Sequence, residues 1–320
     1  MNHQTREYGA VWTVLPTRHI EALRDAVVGA GLDAVQMSKG TLGGSLAFTE
    51  HRGAAFTSGL MGGRVSLSGP LSSDLITFGL GLRVAAGTWH WQREISKGCV
   101  GIFHPGDEHD SLYTPGSFYV TASLDLETLT GMASRLELVV DRSTLGGTGF
   151  HDRLIAARWI DGIAARMHRV HDGSVSVDET LCDQILHAVL TAYTRAPRPV
   201  GGRSGAERHA RIFAIARDYI HAHLAEPLAI DDIAREAGTT PRTLNRAFLS
   251  VVEDTPYNFI QMLRLNLVRR ELLSGSVSPQ PIYAMANRWG LREAGRFSGL
   301  YRDLFDELPS ETRNSAKRLS

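Results

Sequence analysis

The sequence predicts an α+β protein in which an antiparallel β-barrel or sandwich with flanking helices precedes an all-α region. Up to about residue 145 the chain consists of short apolar runs broken by glycine and proline, a pattern typical of antiparallel strands and tight turns. Apolar residues then recur at helical spacing to the end of the chain. A length of 320 residues is sufficient for two buried cores.

The predicted strands of the barrel lie between about residues 35 and 145. Turn signals such as Gly43–Gly44 and Pro105–Gly106 separate them. The apolar runs themselves are Ala47–Phe48, Leu75–Leu80, Gly98–Phe103 and Phe118–Leu124. One helix is expected before the barrel, near Thr17–Ala30, because its isoleucine, leucine and valine residues recur at helical spacing.

Two amphipathic helices are predicted between about residues 150 and 195. The apolar positions of the second, Leu181–Tyr193, fit either a dimerisation helix or a helix packed against the barrel. Residues 196–206 are rich in Pro, Gly and Ser and are interpreted as an exposed linker. The chain therefore divides into a domain at 1–195, the linker, and a domain at 207–320.

Composition excludes several classes of protein. Thirty-four Lys and Arg residues balance 34 Asp and Glu residues, which excludes a uniformly basic chain but not a local basic face. Cys99 and Cys182 are the only cysteines and neither lies in a Cys-x-x-Cys pair, so a disulfide scaffold, a zinc finger and an iron–sulfur site are not expected. The sequence has neither a signal-peptide pattern nor an apolar run of about 18 residues, and we expect a soluble, cytoplasmic protein.

A helix–turn–helix is predicted within Leu228–Phe248. Gly238 suits the left-handed turn after the first helix. Thr240 is a favourable N-cap for the second helix, and Pro241 is favoured at its first position. The polar residues on the exposed face of that helix are Arg242, Thr243, Asn245 and Arg246. Because arginine can bond guanine and asparagine can bond adenine, this face is predicted to read bases in the major groove.

The same arrangement recurs between Ile282 and Tyr301, with Gly290 at the turn and Arg292 and Arg296 as polar candidates. A helix over Pro256–Ser274 is predicted between the two units. Its nineteen residues would reach roughly 28 Å at about 1.5 Å per residue. That length approaches the ~34 Å between successive major-groove faces, so one chain could hold two units about one DNA turn apart.

The last hundred or so residues contain a series of characteristic residues in a fixed order. They are Leu228 through Ala234, Gly238, Thr243–Leu244, Arg246, Phe248, Pro256, Arg264–Leu265, Arg269, Leu272–Leu273, Ile282, Ala286, Gly290, Phe297–Ser298, Phe305, Pro309–Ser310 and Arg313. In this order they resemble the DNA-binding domain of the AraC/XylS family of bacterial transcription regulators. The resemblance implies two helix–turn–helix units on one long helix, binding to double-stranded DNA, contact with RNA polymerase, a homodimer and control by a small-molecule effector.

The resemblance also assigns base-reading positions to both units. In the first they correspond to Arg242, Asn245 and Arg246, and in the second to Ala294, Gly295, Arg296 and Gly299. Small residues thus stand where the family usually has polar or basic ones in the second unit. We therefore predict that the first unit carries most sequence specificity and that the second acts mainly through Arg292, Arg296 and its backbone.

Two further departures concern the ends of the units, where Glu253 and Asp306 replace glycines usual in the family. Arg264 and Arg269, which lie on the connecting helix, are interpreted as structural residues that form salt bridges between the units.

The N-terminal half resembles the family's effector-binding domain, a cupin-like barrel followed by helices. The passages that carry this resemblance are Gly98–Asp107 and Tyr113–Gly116. Trp89 and Trp91 would line a pocket for an apolar or stacking ligand, or else belong to the core. Their alternative roles cannot be separated by pattern, since buried aromatic residues serve both.

A second candidate ligand site is Asp141, Ser143 and Gly146, which have the D-x-S-x-x-G form. This resembles half of the PilZ signature for cyclic di-GMP, and the other half, R-x-x-x-R, has no match before the linker. Arginines of the barrel could supply the missing contacts to guanine and phosphate, and these are Arg64, Arg83 and Arg93. The alternative is an ordinary glycine-rich turn that leaves the barrel.

Histidines of the barrel raise the question of a metal site. His90, His104 and His109 lie near acidic residues, but a metal cupin needs a His-x-His pair followed by a Glu, and only one histidine is present in 89–91. We predict loop or core histidines, with no metal, no cofactor and no catalytic residues. The predicted function is a ligand-controlled transcription activator. The alternatives are a barrel enzyme with a DNA-binding appendage and a regulator controlled by a protein partner.

Overall fold

Two antiparallel sheets form the N-terminal part of the chain. The computed structural model describes residues 10–90, 93–135, 140, 145–194, 205–274, 280–291 and 294–319. The strands of the larger sheet, in spatial order, are β1 (Thr13–Pro16), β3 (Gly44–His51), β4 (Ala54–Met61), β11 (Phe118–Leu124), β6 (Ile76–Arg83), β9 (Cys99–Phe103) and β12 (Gly149–Leu154). Those of the smaller sheet are β2 (Asp33–Gln36), β5 (Val65–Pro70), β10 (Glu108–Tyr113), β7 (Trp89–His90) and β8 (Arg93–Glu94). The α+β architecture predicted from the sequence is confirmed.

Helices cover the outer face of the larger sheet. They are α1 (Leu126–Arg135), α2 (Ala157–His171) and α3 (Glu179–Thr194). Every residue of β11 is buried because the barrel interior covers one face and these helices cover the other. Leu181 and Ile185 of α3 belong to the core between these helices and the larger sheet, and Tyr193 contacts Phe78 edge-on with ring centroids 5.3 Å apart. Packing against the barrel therefore accounts for the apolar face of this helix.

Three local predictions differ from the structure. The helix expected near Thr17–Ala30 is a 3₁₀ helix of six residues, Ile20–Asp25, and the left-handed backbone of Gly29 and Gly31 is incompatible with helix at the end of the predicted range. Residues 149–154 form a strand on β9 and not the start of a helix. Strands consequently extend from residue 13 to residue 154, beyond the predicted limits of about 35–145. Residues 196–204 of the predicted linker lie outside the described residues.

The C-terminal part of the described chain is helical. Its helices are α4 (Gly205–Ala222), α5 (Ile230–Glu236), α6 (Pro241–Val251), α7 (Pro256–Leu273), α8 (Ile282–Arg288), α9 (Ala294–Phe305) and α10 (Pro309–Leu319). They pack around two cores at opposite ends of α7. Phe213, Phe248 and Phe259 form an aromatic trio in the first core, with ring centroids 4.9 to 5.5 Å apart. The second core contains Phe297 and Tyr301.

The smaller sheet packs against this helical part. Trp89 and Leu112 are buried in the same cluster as Phe213 and Phe248, and Asp110 of β10 forms a salt bridge with Arg217 of α4. One face of this sheet lines the barrel, and the other holds the helical domain.

Candidate nucleic-acid interface

Helices α5 and α6 form a helix–turn–helix, which we call the first head (Ile230–Val251). Gly238 has φ +60° at the turn between them, a conformation that glycine adopts without a side-chain clash. The hydroxyl oxygen of Thr240 accepts a hydrogen bond from the backbone N–H of Thr243 at 3.3 Å, and Pro241 occupies the first helical position. Both of the end signals predicted for this helix are therefore present.

Helix α6 is strongly two-sided. Leu244, Ala247, Phe248 and Val251 are buried. Arg242 and Arg246 are exposed on the opposite face, and Thr243 and Asn245 are partly exposed beside them. The four predicted DNA-binding residues of the first head thus lie on one accessible helix, as a base-reading surface requires.

Leu249 was not predicted as a functional residue, although it lies on the same face. It follows Arg242 by seven residues and Arg246 by three, so all three share one side of the helix. An exposed fraction of 46% is large for a leucine on a helix whose core face is full. Apolar side chains contact the methyl group of thymine in the major groove. The i, i+4, i+7 spacing was the available signal in the sequence.

Helices α8 and α9 form the second head (Ile282–Phe305). Gly290 has φ +75° at its turn, and Phe297, Tyr301 and Leu304 are buried. Arg296 is exposed, whereas Arg292 lies outside the described residues. A Cβ built on Gly299 would have no atom within 4 Å, so a larger side chain would fit there.

Helix α7 joins the two heads with 18 residues, or about 27 Å at ~1.5 Å per residue. Arg264 donates to the carbonyl oxygens of Leu224 at 3.2 Å and Glu226 at 2.7 Å, and its guanidinium lies against Gly290. Arg269 is buried and pairs with Glu21 and with Glu307. Both arginines are therefore structural, but the salt bridges of Arg269 join α7 to the N-terminal domain and to the segment after the second head, and not the two heads to each other as predicted.

The predicted ligand-binding residues that the structure describes have separate contacts and do not share one site. Arg64 pairs with Glu253, and Trp89 is buried against the helical domain. Arg93 donates to the carbonyl oxygen of Phe150 at 3.1 Å. Arg83 is exposed at the end of β6, at the edge of the barrel cavity, and Gly146 is a left-handed turn residue whose carbonyl oxygen contacts His104. Trp91, Asp141 and Ser143 lie outside the described residues.

The barrel interior contains a pair of buried histidines. His109 Nε2 and His90 Nδ1 lie 3.2 Å apart. Burial lowers the pKa of His109 to about 3, and burial together with the neighbouring His109 lowers the pKa of His90 well below its usual range. The cavity beside them measures about 30 Å³, which is room for roughly one water molecule. No group of three or more potential metal ligands occurs among the residues that the structure describes.

A second buried imidazole joins α2 to the larger sheet. His171 Nδ1 lies 2.7 Å from Ser45 Oγ, and its Nε2 lies 3.0 Å from Ser58 Oγ. Ser58 donates its own proton to the carbonyl oxygen of Tyr119, so His171 donates through Nε2 and accepts from Ser45. Burial, with a smaller effect of His168, lowers the pKa of His171 to about 4. This hydroxyl–imidazole contact was not predicted, and it anchors the end of α2.

Comparison with known proteins identifies the helical domain. Residues 233–315 match a family described as "Helix-turn-helix domain". The probable thc operon regulatory protein of Rhodococcus erythropolis is 33% identical over 100 residues, which cover 31% of this chain and 30% of that protein. The regulatory protein SoxS of Salmonella typhimurium (strain LT2) is 31% identical over 106 residues, which cover 33% of this chain and 96% of SoxS.

One solved structure of similar sequence is described as an AraC family regulator. The probable AraC family transcriptional regulator from Rhodopseudomonas palustris CGA009 is 30% identical, with 33% of this chain and 96% of that chain covered and a TM-score of 0.32. Because it covers 96% of SoxS at 31% identity, the chain belongs to the AraC/XylS family. Its relatives are regulators, as the resemblance implies.

The AraC/XylS assignment rests on the helical domain. The matched region is about a third of this chain and 30% of the thc operon regulatory protein, so the relatives do not extend the assignment to the barrel. Among the described residues, every helix is too short or too polar to cross a bilayer.

Proposed function

We propose that this chain is a sequence-specific DNA-binding transcription regulator, an activator whose output is controlled by a small-molecule effector. The observation that carries the proposal is the repeat of one unit at both ends of α7. Each head has a left-handed glycine at its turn, Gly238 or Gly290, and an exposed arginine on the following helix. The two ends of α7 are about 27 Å apart, which approaches the ~34 Å between successive major-groove faces.

Side chains of both heads contact DNA in this proposal. Arg242, Asn245 and Arg246 read base edges in one major groove, and Leu249 contacts a thymine methyl group there. Arg296 contacts DNA in the next major groove. Contacts to phosphate make the affinity depend on salt, whereas contacts to bases determine the preferred sequence. The proposal includes a homodimer, contact with RNA polymerase and action in the cytoplasm without a catalytic step. Regulators among the relatives support it.

The test is an in vitro selection of DNA sites with the full chain, followed by binding measurements on the selected site. Arg246→Ala should weaken binding by about 1–3 kcal/mol and relax the preference at one base position. Arg52→Ala is the matched control, because it removes one exposed arginine from the turn between β3 and β4. Unchanged affinity in Arg246→Ala would contradict the role of that residue. Failure of the wild-type chain to select any sequence would contradict the function.

Control by an effector is supported by a cleft between the domains. The cleft measures about 570 Å³, within the range of roughly 300–1,000 Å³ that small-molecule sites occupy. Apolar residues of both domains line it, among them Leu32, Val35, Leu263 and Leu267. The barrel interior, at about 30 Å³, is too small for a nucleotide or a sugar. We therefore propose that the effector binds in the cleft, where it contacts both domains.

The effector is sought by thermal unfolding of the full chain with nucleotides, cyclic di-GMP, sugars, aromatic acids and fatty acids. A ligand at about 100 times its Kd adds roughly 2.7 kcal/mol of stability, which raises Tm by about 4 °C in a chain of 320 residues. Leu267→Trp narrows the cleft and should abolish that shift. A shift that survives this substitution would place the effector elsewhere. The absence of any shift would favour control by a protein partner.

A further inference from the structure

Strand β2 is an edge strand of the smaller sheet, and a side chain of the DNA-binding domain completes it. The backbone N–H of Gln36 donates to Asn266 Oδ1 at 3.0 Å, and Asn266 Nδ2 donates to the carbonyl oxygen of Gln36 at 3.1 Å. The amide of Asn266 thus makes both of the bonds that a neighbouring strand would make at that residue. This pair fixes the middle of α7 to the N-terminal domain.

The segment that follows β2 reaches the second head. The side-chain amide of Gln36 donates to the carbonyl oxygen of Leu304, and the backbone N–H of Gly40 donates to the carbonyl oxygen of Asp303 at 3.1 Å. Thr41 Oγ1 donates to Asp306 Oδ2 at 3.3 Å. These bonds all meet the C-terminal end of α9.

Arg64, at the start of β5, reaches the corresponding end of the first head. Its guanidinium donates to the carbonyl oxygen of Val252 and forms an ion pair with Glu253, with Nη2 and Oε2 2.7 Å apart. The side chain of Arg64 is only 14% exposed, so this ion pair is shielded from water on one side. We call Gln36–Thr41 and Arg64 together the brace.

Both carboxylates held by the brace stand on left-handed backbone. Glu253 has φ +55° and Asp306 has φ +59°, each just after the second helix of its head. Residues other than glycine adopt this conformation at a cost in free energy. Aspartate adopts this conformation more readily than most residues, but glutamate has no such preference, and the contacts with the N-terminal domain use both side chains.

We infer that the N-terminal domain sets the relative position of the two heads through this brace. Asn266, Glu253 and Asp306 are then positioning residues for DNA binding, an assignment that rests on the function proposed above. Successive base pairs are about 3.4 Å apart and rotated by about 35°. A pair of heads held rigidly therefore fits one spacing between half-sites, whereas a pair joined by α7 alone tolerates others.

The test uses the full chain on the site it selects in vitro and on versions with one or two base pairs inserted or deleted between the half-sites. Wild type should lose at least about tenfold in affinity for each base pair changed. The double variant Glu253→Gly and Asp306→Gly should bind the selected site comparably but lose less than about threefold per base pair. Glycine suits left-handed backbone, so this variant should fold, as circular dichroism and Tm will check.

Two controls separate positioning from folding. Arg52 is also left-handed, with φ +50°, but lies outside the brace, so Arg52→Gly relieves similar strain and should keep the steep spacing dependence. Asp306→Asn keeps a hydrogen-bond acceptor for Thr41, so this variant should also keep the steep dependence of affinity on spacing. If the affinity of the double glycine variant still depends steeply on the spacing between half-sites, the inference is overturned. It is also overturned if the affinity of wild type does not depend on that spacing. Neither result contradicts DNA binding itself. Selection of no site by wild type contradicts the proposed function itself.

Discussion

Acid should destabilise the barrel well before it protonates ordinary carboxylates. His90, His109 and His171 are buried with lowered pKa values, about 3 for His109 and about 4 for His171. In the unfolded chain each should titrate near 6.5. Between pH 6.5 and these lower values the unfolded state binds the additional protons, so stability falls as pH falls. Above about pH 7.5 the histidines of the unfolded chain are neutral as well, so the three histidines contribute no pH dependence there.

The magnitude follows from the proton count. Each histidine lowers the free energy of unfolding by up to about 1.4 kcal/mol per pH unit below 6.5. At pH 5.5 the three together should remove about 4 kcal/mol, a large share of the 5–15 kcal/mol that stabilises a typical domain. Carboxylates with ordinary pKa values near 4 remain ionised in this range, so the histidines dominate the change.

The assay is guanidinium unfolding at pH 7.5, 6.5 and 5.5, followed by the fluorescence of buried tryptophan. His109→Gln keeps a polar group near His90 and should reduce the slope between pH 6.5 and 5.5 by about a third. His187→Gln, which removes an exposed imidazole on α3, is the control and should leave the slope unchanged. Stability that does not change between pH 7.5 and 5.5, or an unaltered slope in His109→Gln, would refute the reasoning.

Three further predictions concern the heads. Gly238→Ala should cost about 1–2 kcal/mol from left-handed strain alone, because no atom lies within 4 Å of the added Cβ. Gly290→Ala should cost more, since the Cβ would lie 2.7 Å from the guanidinium of Arg264; equal losses in urea unfolding would contradict this. Phe248→Ala should destabilise by about 3–5 kcal/mol. Leu249→Ala should change stability by less than about 0.5 kcal/mol and reduce the preference for one thymine in a selection experiment, whereas an unaltered preference would remove Leu249 from the interface.

The heads could be predicted from the sequence because their determinants are local. A left-handed glycine, an N-cap and a proline at the first helical position fall within four residues of one another at 238–241, and each has a steric or hydrogen-bonding reason for its place. Burial of Leu244 and Phe248 follows from helical spacing. The base contacts of Arg242, Asn245 and Arg246 stay predictions, because they depend on DNA.

Errors in the barrel have a different origin. The predicted helical region begins at about residue 150 because Leu154 and Ile155 continue the helical spacing of the residues that follow, whereas residues 149–154 pair with β9 as a strand. The predicted helix near Thr17–Ala30 has helical spacing, yet only Ile20–Asp25 is helical, and Gly29 and Gly31 adopt left-handed backbone. In both cases pairing or backbone conformation outweighs periodicity.

Successive side chains on β7 and β10 point to opposite faces of the sheet. This alternation explains why the predicted ligand-binding residues lie at different places. On β7, His90 points into the barrel while Trp89 points outward, and on β10 the same holds for His109 and Asp110. Neighbours in sequence thus serve different cores, the barrel on one face and the DNA-binding domain on the other. A tryptophan next to a histidine on such a strand would line a ligand pocket only if the outer face of the sheet were exposed to solvent. Here the helical domain covers that face, and nothing local in the sequence of β7 could reveal the contact, since its partner Phe213 lies more than a hundred residues away.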